Sequence, residues 1–319
     1  MPQKSSHFAD RLNSAIKKKK SAICVGLDPR LEQLPEFIKS RARKNHKNPF
    51  TAAAEAIIEF NKGIIDAVAD LVPIVKPQSA FFEQYGSEGI RAFEETVRYA
   101  REKGLLTIAD IKRGDIGSTA EAYARAFLGR VDVFGKATAS FDVDAVTIAP
   151  YLGWDGVKPF VDEARKYGKG VFVLVKTSNV SSSDVQDLIT VEPGVSASGS
   201  KTVYEIMAHY LDSWGADEIG ESGYSSVGAV VGATFPVQAA KLRKLMPTAI
   251  FLVPGYGAQG GTAKDVRACF NDDGMGAIVN SSRGIIFAWK DSPQFGEKDY
   301  ADAARDAVMK MRTELAGAL

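Results

Sequence analysis

Leu105-Leu106-Thr107-Ile108-Ala109-Asp110-Ile111-Lys112-Arg113-Gly114-Asp115-Ile116-Gly117-Ser118-Thr119 is the stretch on which the fold turns. It opens as an apolar, strand-like run and breaks into charge at Asp110 and Lys112. A glycine-flanked turn then leads into a helical segment, Thr119 to Leu128. Side chains two apart on a strand share a face, so Asp110 and Lys112 are expected to point the same way. An ion pair capping a strand would account for these two alone. Asp115, just past the strand end, adds a third charge, and burying three charges has no rationale in stability. A carboxylate and an ammonium held together at the end of a buried strand suit proton chemistry.

Outward from this stretch, the same strand-then-helix pattern recurs. Short β-rich runs are predicted at Ala22–Leu27, Val72–Lys76, Leu105–Lys112, Ala145–Ala149, Val171–Lys176, Gly228–Val231, Ile250–Val253 and Ala277–Asn280, eight in all. Helical periodicity falls between and after them, at Ala52–Asp70, Glu88–Lys103, Val157–Tyr167, Val203–Trp214, Val237–Met246, Ala263–Phe270 and Tyr300–Leu315. Strands that are apolar throughout, instead of alternating, belong to parallel sheets covered on both faces. Eight βα units in 319 residues argue for an α/β fold, a (β/α)8 TIM barrel, as a single domain with inserted loops. A doubly wound open sheet is the alternative. The barrel is expected over about 21–290, with an N-terminal helix over about 6–20 and a C-terminal helix over about 298–317.

Two stretches break the rhythm. Arg30 to Phe50 is basic, and Asn179 to Ser200 is rich in Ser, Val and Gly; long loops of this kind serve as lids, interfaces or ornament. Elsewhere charge balances, with 40 Lys and Arg against 39 Asp and Glu, so no global field favours nucleic acid or an anionic membrane. Lys17 to Lys20 end an amphipathic helix built on Phe8, Leu12 and Ile16, and they are read as a solvated helix end complementing the macrodipole. No signal peptide and no run long enough to span a bilayer is present. Cys24 and Cys269 make neither a metal spacing nor a disulfide framework, which fits buried apolar thiols in a reducing cytoplasm.

In a barrel of this type the functional face lies where strands end. The predicted ends are Leu27-Asp28, Val75-Lys76-Pro77, Asp110-Ile111-Lys112, Lys176-Thr177-Ser178-Asn179, Pro254-Gly255 and Asn280-Ser281-Ser282-Arg283-Gly284. Gly255 to Gly260 spells a G-x-G-x-x-G, but after the seventh strand and not the first, so a dinucleotide site is rejected. The preferred reading is a phosphate site, with backbone N–H groups and Gln259 from this loop and Arg283 as the charged partner.

The Ile108 to Thr119 stretch resembles the signature of the orotidine 5'-monophosphate decarboxylase family, particularly its longer bacterial subgroup. Gly26-Leu27-Asp28, Val75 to Glu83, Pro150-Tyr151-Leu152-Gly153, Lys176 to Asn179, Pro254 to Gly261 and Ser282-Arg283-Gly284 are similar to that subgroup in the same order. The resemblance implies a homodimer of barrels converting orotidine 5'-monophosphate to UMP and CO2 with neither metal nor organic cofactor. Carried onto this chain, it implies a charged array of Lys76, Asp110, Lys112 and Asp115, with Lys112 protonating C6. Asp115 and Thr119 would reach into the neighbouring subunit's site. Asp28 and Lys76 would hold ribose hydroxyls, Ser178 the pyrimidine, and Gln259 and Arg283 the phosphate. Two other readings stay open. One is a metal-dependent sugar-phosphate decarboxylase or aldolase on the same barrel, in which the carboxylates ligand Mg²⁺; the other is a non-catalytic nucleotide-binding dimer.

Overall fold

The computed structural model describes residues 7–190 and 199–318. Eight parallel strands close into a barrel: β1 (Ile23–Leu27), β2 (Ile74–Pro77), β3 (Leu106–Arg113), β4 (Ala145–Ile148), β5 (Gly170–Lys176), β6 (Ser225–Val231), β7 (Ala249–Val253) and β8 (Ala277–Ser281). Sequence neighbours are spatial neighbours all the way round, and β8 returns to pair with β1 through Val279 with Ile23 and Ser281 with Val25. That closure removes the open-sheet alternative. Every residue of β1, β7 and β8 is buried, as expected for strands covered by helices outside and packed side chains inside.

The helices begin where capping chemistry lets them. The helix Pro49–Val68 starts earlier than its apolar periodicity suggests, because the Asn48 side chain accepts from the N–H groups of Phe50 and Thr51 and Pro49 occupies the first turn. Its buried stripe of Ala53, Ile57, Phe60 and Ile64 lies on the core side, and the helix packs against Gly86–Glu102. The basic stretch after β1 is not an open loop. It contains the helix Glu36–Asn45, which buries Ile38 and Ala42 one turn apart. Its cations are partly neutralised locally: Lys39 pairs with Glu36 at 3.1 Å and Arg41 with Glu59 at 3.3 Å.

The stretch after β5 forms a 3-10 turn, Val180–Ser182, a helical turn, Ser183–Gln186, and a two-stranded pairing of Ile189–Thr190 with Lys201–Thr202. Residues 191–198 of that expected insertion lie outside the described residues, as does the first residue of the helix expected from about 6.

The floor of the barrel is closed by the helix Phe8–Lys19. Phe8 is buried and meets Phe172 of β5 edge to face at 6.0 Å. Arg11 donates to Asp144 Oδ1 at 2.6 Å, and Asp10 Oδ1 accepts from the Ser222 N–H at 2.7 Å, a contact between residues 212 positions apart. Of the terminal lysines, Lys17 and Lys18 are solvated as expected, but Lys19 is not. Its ammonium donates to the carbonyls of Ala69 and Val72 at 2.6 and 2.7 Å and ties this helix to the end of the helix Pro49–Val68.

Cys24 and Cys269 are both buried, and burial pushes each thiol up to about 12. Neither should react with an aromatic disulfide reagent in the native protein at pH 8, and both should react once it is unfolded in guanidinium. Rapid native labelling of either thiol would contradict this packing. Among the described residues no helix is long and apolar enough to cross a membrane.

Candidate active site

A cavity of about 520 Å³ opens at the barrel mouth, where the strands end. Seven of the nine residues singled out in the sequence line it: Asp28, Lys76, Asp110, Lys112, Ser178, Gln259 and Arg283. β1, β2 and β3 supply the first four from strand ends or just beyond. Ser178 follows β5, Gln259 sits in the loop after β7, and Arg283 follows β8.

Asp110 is the hub. Its Oδ2 lies 2.5 Å from Lys76 Nζ and accepts from Gln78 Nε2 at 2.9 Å. Its Oδ1 lies 2.5 Å from Lys112 Nζ and accepts from Thr147 Oγ1 at 2.8 Å. Burial opposes the charge on Lys76, but the Asp110 and Asp28 carboxylates outweigh it and hold the ammonium above the ordinary lysine range. Burial likewise opposes ionisation of Asp110. The two ammonium groups outweigh it and hold the carboxyl well below the usual carboxylate range.

Asp110 and Lys112 do meet, though not by simple strand alternation. Lys112 has φ 46°, in the left-handed region, and the pairing of β3 with β4 shifts register between Ala109 and Arg113. This irregularity swings the Lys112 side chain back over Asp110. Thr147 of β4 braces the distortion from both sides, accepting from the Lys112 N–H at 3.1 Å while donating to Asp110. Thr147 and Gln78 were not singled out in the sequence. Thr147 did carry a signal, as the polar residue inside the otherwise apolar Ala145-Val146-Thr147-Ile148.

Arg283, which follows β8 on the same cavity lining, is exposed and carries no ion pair among the described residues. The glycine-rich loop differs from expectation in one respect. The N–H groups of Gly257, Gly260 and Gly261 bond to carbonyls within their own loop, at 2.8, 2.8 and 3.1 Å, so they are not aimed at an anion. Gly255, Tyr256, Ala258 and Gln259 of this loop line the cavity together with Arg283. Asp28 contributes an Oδ1 that is buried and without a hydrogen-bond partner among the described residues.

Asp115 and Thr119 are the two that the cavity leaves out. Asp115 Oδ1 accepts from the N–H of Ile116, its own neighbour, at 2.8 Å, and Thr119 is exposed. A Cβ at Gly156 would lie 2.8 Å from the Asp115 carbonyl oxygen, so this loop rests on the start of the helix Trp154–Tyr167. Around it Ile116, Tyr151 and Leu152 are 55%, 90% and 48% exposed. Among the described residues no group of three or more His, Cys, Asp or Glu is gathered as a metal site.

Residues 21–294 match the orotidine 5'-phosphate decarboxylase / HUMPS family. A protein of Rhodopirellula baltica named orotidine 5'-phosphate decarboxylase is 47% identical over 97% of this chain and 99% of its own length. The structure of Leishmania donovani OMP decarboxylase superposes with a TM-score of 0.70 at 31% identity, covering 96% of this chain and 99% of that one. The Leishmania donovani UMP synthase structure matches at TM-score 0.71 and 32% identity over 97% of this chain, which spans 57% of that longer chain. With the match running through every strand of the barrel, the chain belongs to the orotidine 5'-phosphate decarboxylase / HUMPS family.

Proposed function

We propose that this protein decarboxylates orotidine 5'-monophosphate to UMP, the carboxy-lyase step of pyrimidine nucleotide synthesis, without metal or organic cofactor. The observation that carries the reading is the Asp110 carboxylate clamped between two ammonium groups, each at 2.5 Å, on the wall of the barrel-mouth cavity. Breaking the bond between C6 and the carboxylate leaves its electron pair in an sp² orbital that the ring π system cannot delocalise. Such a carbanion is stabilised only by preorganised charge. Lys112 is the cation for that position; it transfers a proton from Nζ to C6 as CO2 departs, and bulk water restores the proton. Asp110 keeps Lys112 aimed and faces the scissile carboxylate, so the array favours the transition state over the bound substrate.

Around that centre Asp28 and Lys76 hold ribose hydroxyls, Ser178 the pyrimidine, and Gln259 and Arg283 the phosphate. The buried Asp28 oxygen and the Arg283 guanidinium, both without a partner among the described residues, support the ribose and phosphate assignments. Both Asp110 oxygens are engaged by lysines, which disfavours the Mg²⁺ reading, since a metal would have to displace an ammonium. Loss of orotidine 5'-monophosphate absorbance in excess chelator tests the assignment. Rapid conversion to UMP supports it; turnover only after adding Mg²⁺ and a sugar phosphate would replace it, and UMP binding without turnover would favour a binding protein. Buried unpaired thiols fit residence in the reducing cytoplasm.

Asp115 and Thr119 complete the site of a second copy in this reading. The exposed Ile116, Tyr151 and Leu152 beside them supply an apolar surface for a two-fold interface. Mixing inactive Lys112→Ala with inactive Asp115→Ala should therefore restore activity, to roughly one quarter of the parental value at statistical exchange in a two-fold dimer. Absence of rescue after exchange has been demonstrated by mass would place both residues in one subunit's site.

A further inference from the structure

Lys176 ends β5 and takes no part in the chemistry above, yet its side chain is 0% exposed. Its ammonium lies 2.8 Å from Asp187 Oδ1, donates to Ser182 Oγ at 3.1 Å, and sits 4.4 Å from the centroid of the Phe235 ring. Both acceptors belong to the segment that follows β5, whose Ser182, Val185 and Gln186 line the cavity. Gln186 turns back on the strand end: its Oε1 accepts from the Thr177 N–H at 3.0 Å and its Nε2 donates to Thr177 Oγ1 at 2.7 Å. The next residue is Ser178, which is pressed so close to the β6 end that a Cβ at Gly232 would lie 2.8 Å from its Cα.

A cation fully removed from water is costly, and an apolar side chain of the same length would fill the space more cheaply. What such a side chain lacks is direction. Ion pairing and hydrogen bonding from one buried point fix where the segment starts and how it is rotated, and Gln186 passes that placement to Thr177 and Ser178.

We propose that Lys176 is a positioning residue, which through Asp187 and Ser182 sets the cavity wall formed by the segment after β5 and with it the Ser178 hydroxyl. The inference rests on the decarboxylase reading, in which Ser178 meets the pyrimidine. Asp187 is the member of the pair to alter, because its side chain is 35% exposed; its loss strands the buried Lys176 ammonium, so urea unfolding accompanies the kinetics as the folding control. Asp187→Ala should lower kcat/KM for orotidine 5'-monophosphate about tenfold, within the range for coupled neighbours. Asp187→Glu should recover most of that loss. In a Ser178→Ala background the Asp187→Ala change should cost nothing further, since the group it positions is gone. Ser182→Ala, a milder change at the same ammonium, should show the same non-additivity should Asp187→Ala not fold. Parental kcat/KM in the folded single variants, or losses that multiply in the double variant, overturn the inference while leaving the decarboxylase assignment standing. A parent inactive on orotidine 5'-monophosphate overturns that assignment, and the inference with it.

Discussion

Lys112→Ala is expected to fold as the parent does and to lose about 10⁴-fold or more in turnover, because it removes a positioned proton donor and the cation facing the developing carbanion together. Folding is spared for a structural reason. The Lys112 side chain is 44% exposed, and without it Asp110 keeps Lys76, Gln78 and Thr147. The loss should fall on kcat and on kcat/KM alike, since the ammonium acts on charge that exists only in the transition state. Steady-state turnover with circular dichroism as the folding control checks both halves. Decarboxylation within about tenfold of the parent would take Lys112 out of the proton-donor role, that being less than a general acid contributes.

Asp110→Ala should behave differently, losing activity and also about 3–5 kcal/mol of stability, the cost of stranding a buried partner charge. The Lys76 side chain is 5% exposed and would be left with its principal counter-charge gone. The pH dependence follows from the directions of the two shifts. Asp110 is depressed, so its contribution to stability is complete above the ordinary carboxylate value of about 4 and fades only as pH falls through its lowered value. Lys76 is raised, so its contribution is complete below the ordinary lysine value of about 10.4 and fades only as pH rises through its raised value. Urea unfolding of parent and variant should give the same difference in stability at pH 5, 6.5 and 8. A variant as stable as the parent, or a difference that has disappeared by pH 5, would show that the pair is not held as a buried array.

The barrel was legible because its strands are continuously apolar and its polar residues gather at their ends. Asp28, Lys76, Ser178 and Arg283 stand at or just past a strand end, Asp110 stands three residues inside the end of β3, and all reach one cavity. What alternation could not supply is the left-handed backbone at Lys112, which depends on Thr147 from the adjacent strand, 35 positions away. The helix Glu36–Asn45 was hidden for a related reason: it buries only Ile38 and Ala42, too few for a periodic signal among basic residues. Of the N–H groups in the glycine-rich loop, those of Gly257, Gly260 and Gly261 are taken by carbonyls of the same turn, a choice set by the turn's geometry and not readable from residue identity. Asp115 and Thr119 lie outside the cavity of this chain, and the role proposed for them in a second copy's site rests on the resemblance and on the exposed apolar residues beside them.

The helix that closes the barrel floor has a consequence in time. Asp10 is translated 212 residues before Ser222, whose N–H it holds. At a ribosomal speed of about 5–20 residues per second, that is a wait of roughly 10–40 s. Until then the helix lacks its anchor at Ser222, and the face formed by Phe8, Leu12 and Ile16 has only an incomplete barrel to cover. This helix is thus made well before its docking site is complete, and its apolar face is an aggregation hazard for the nascent chain in the meantime.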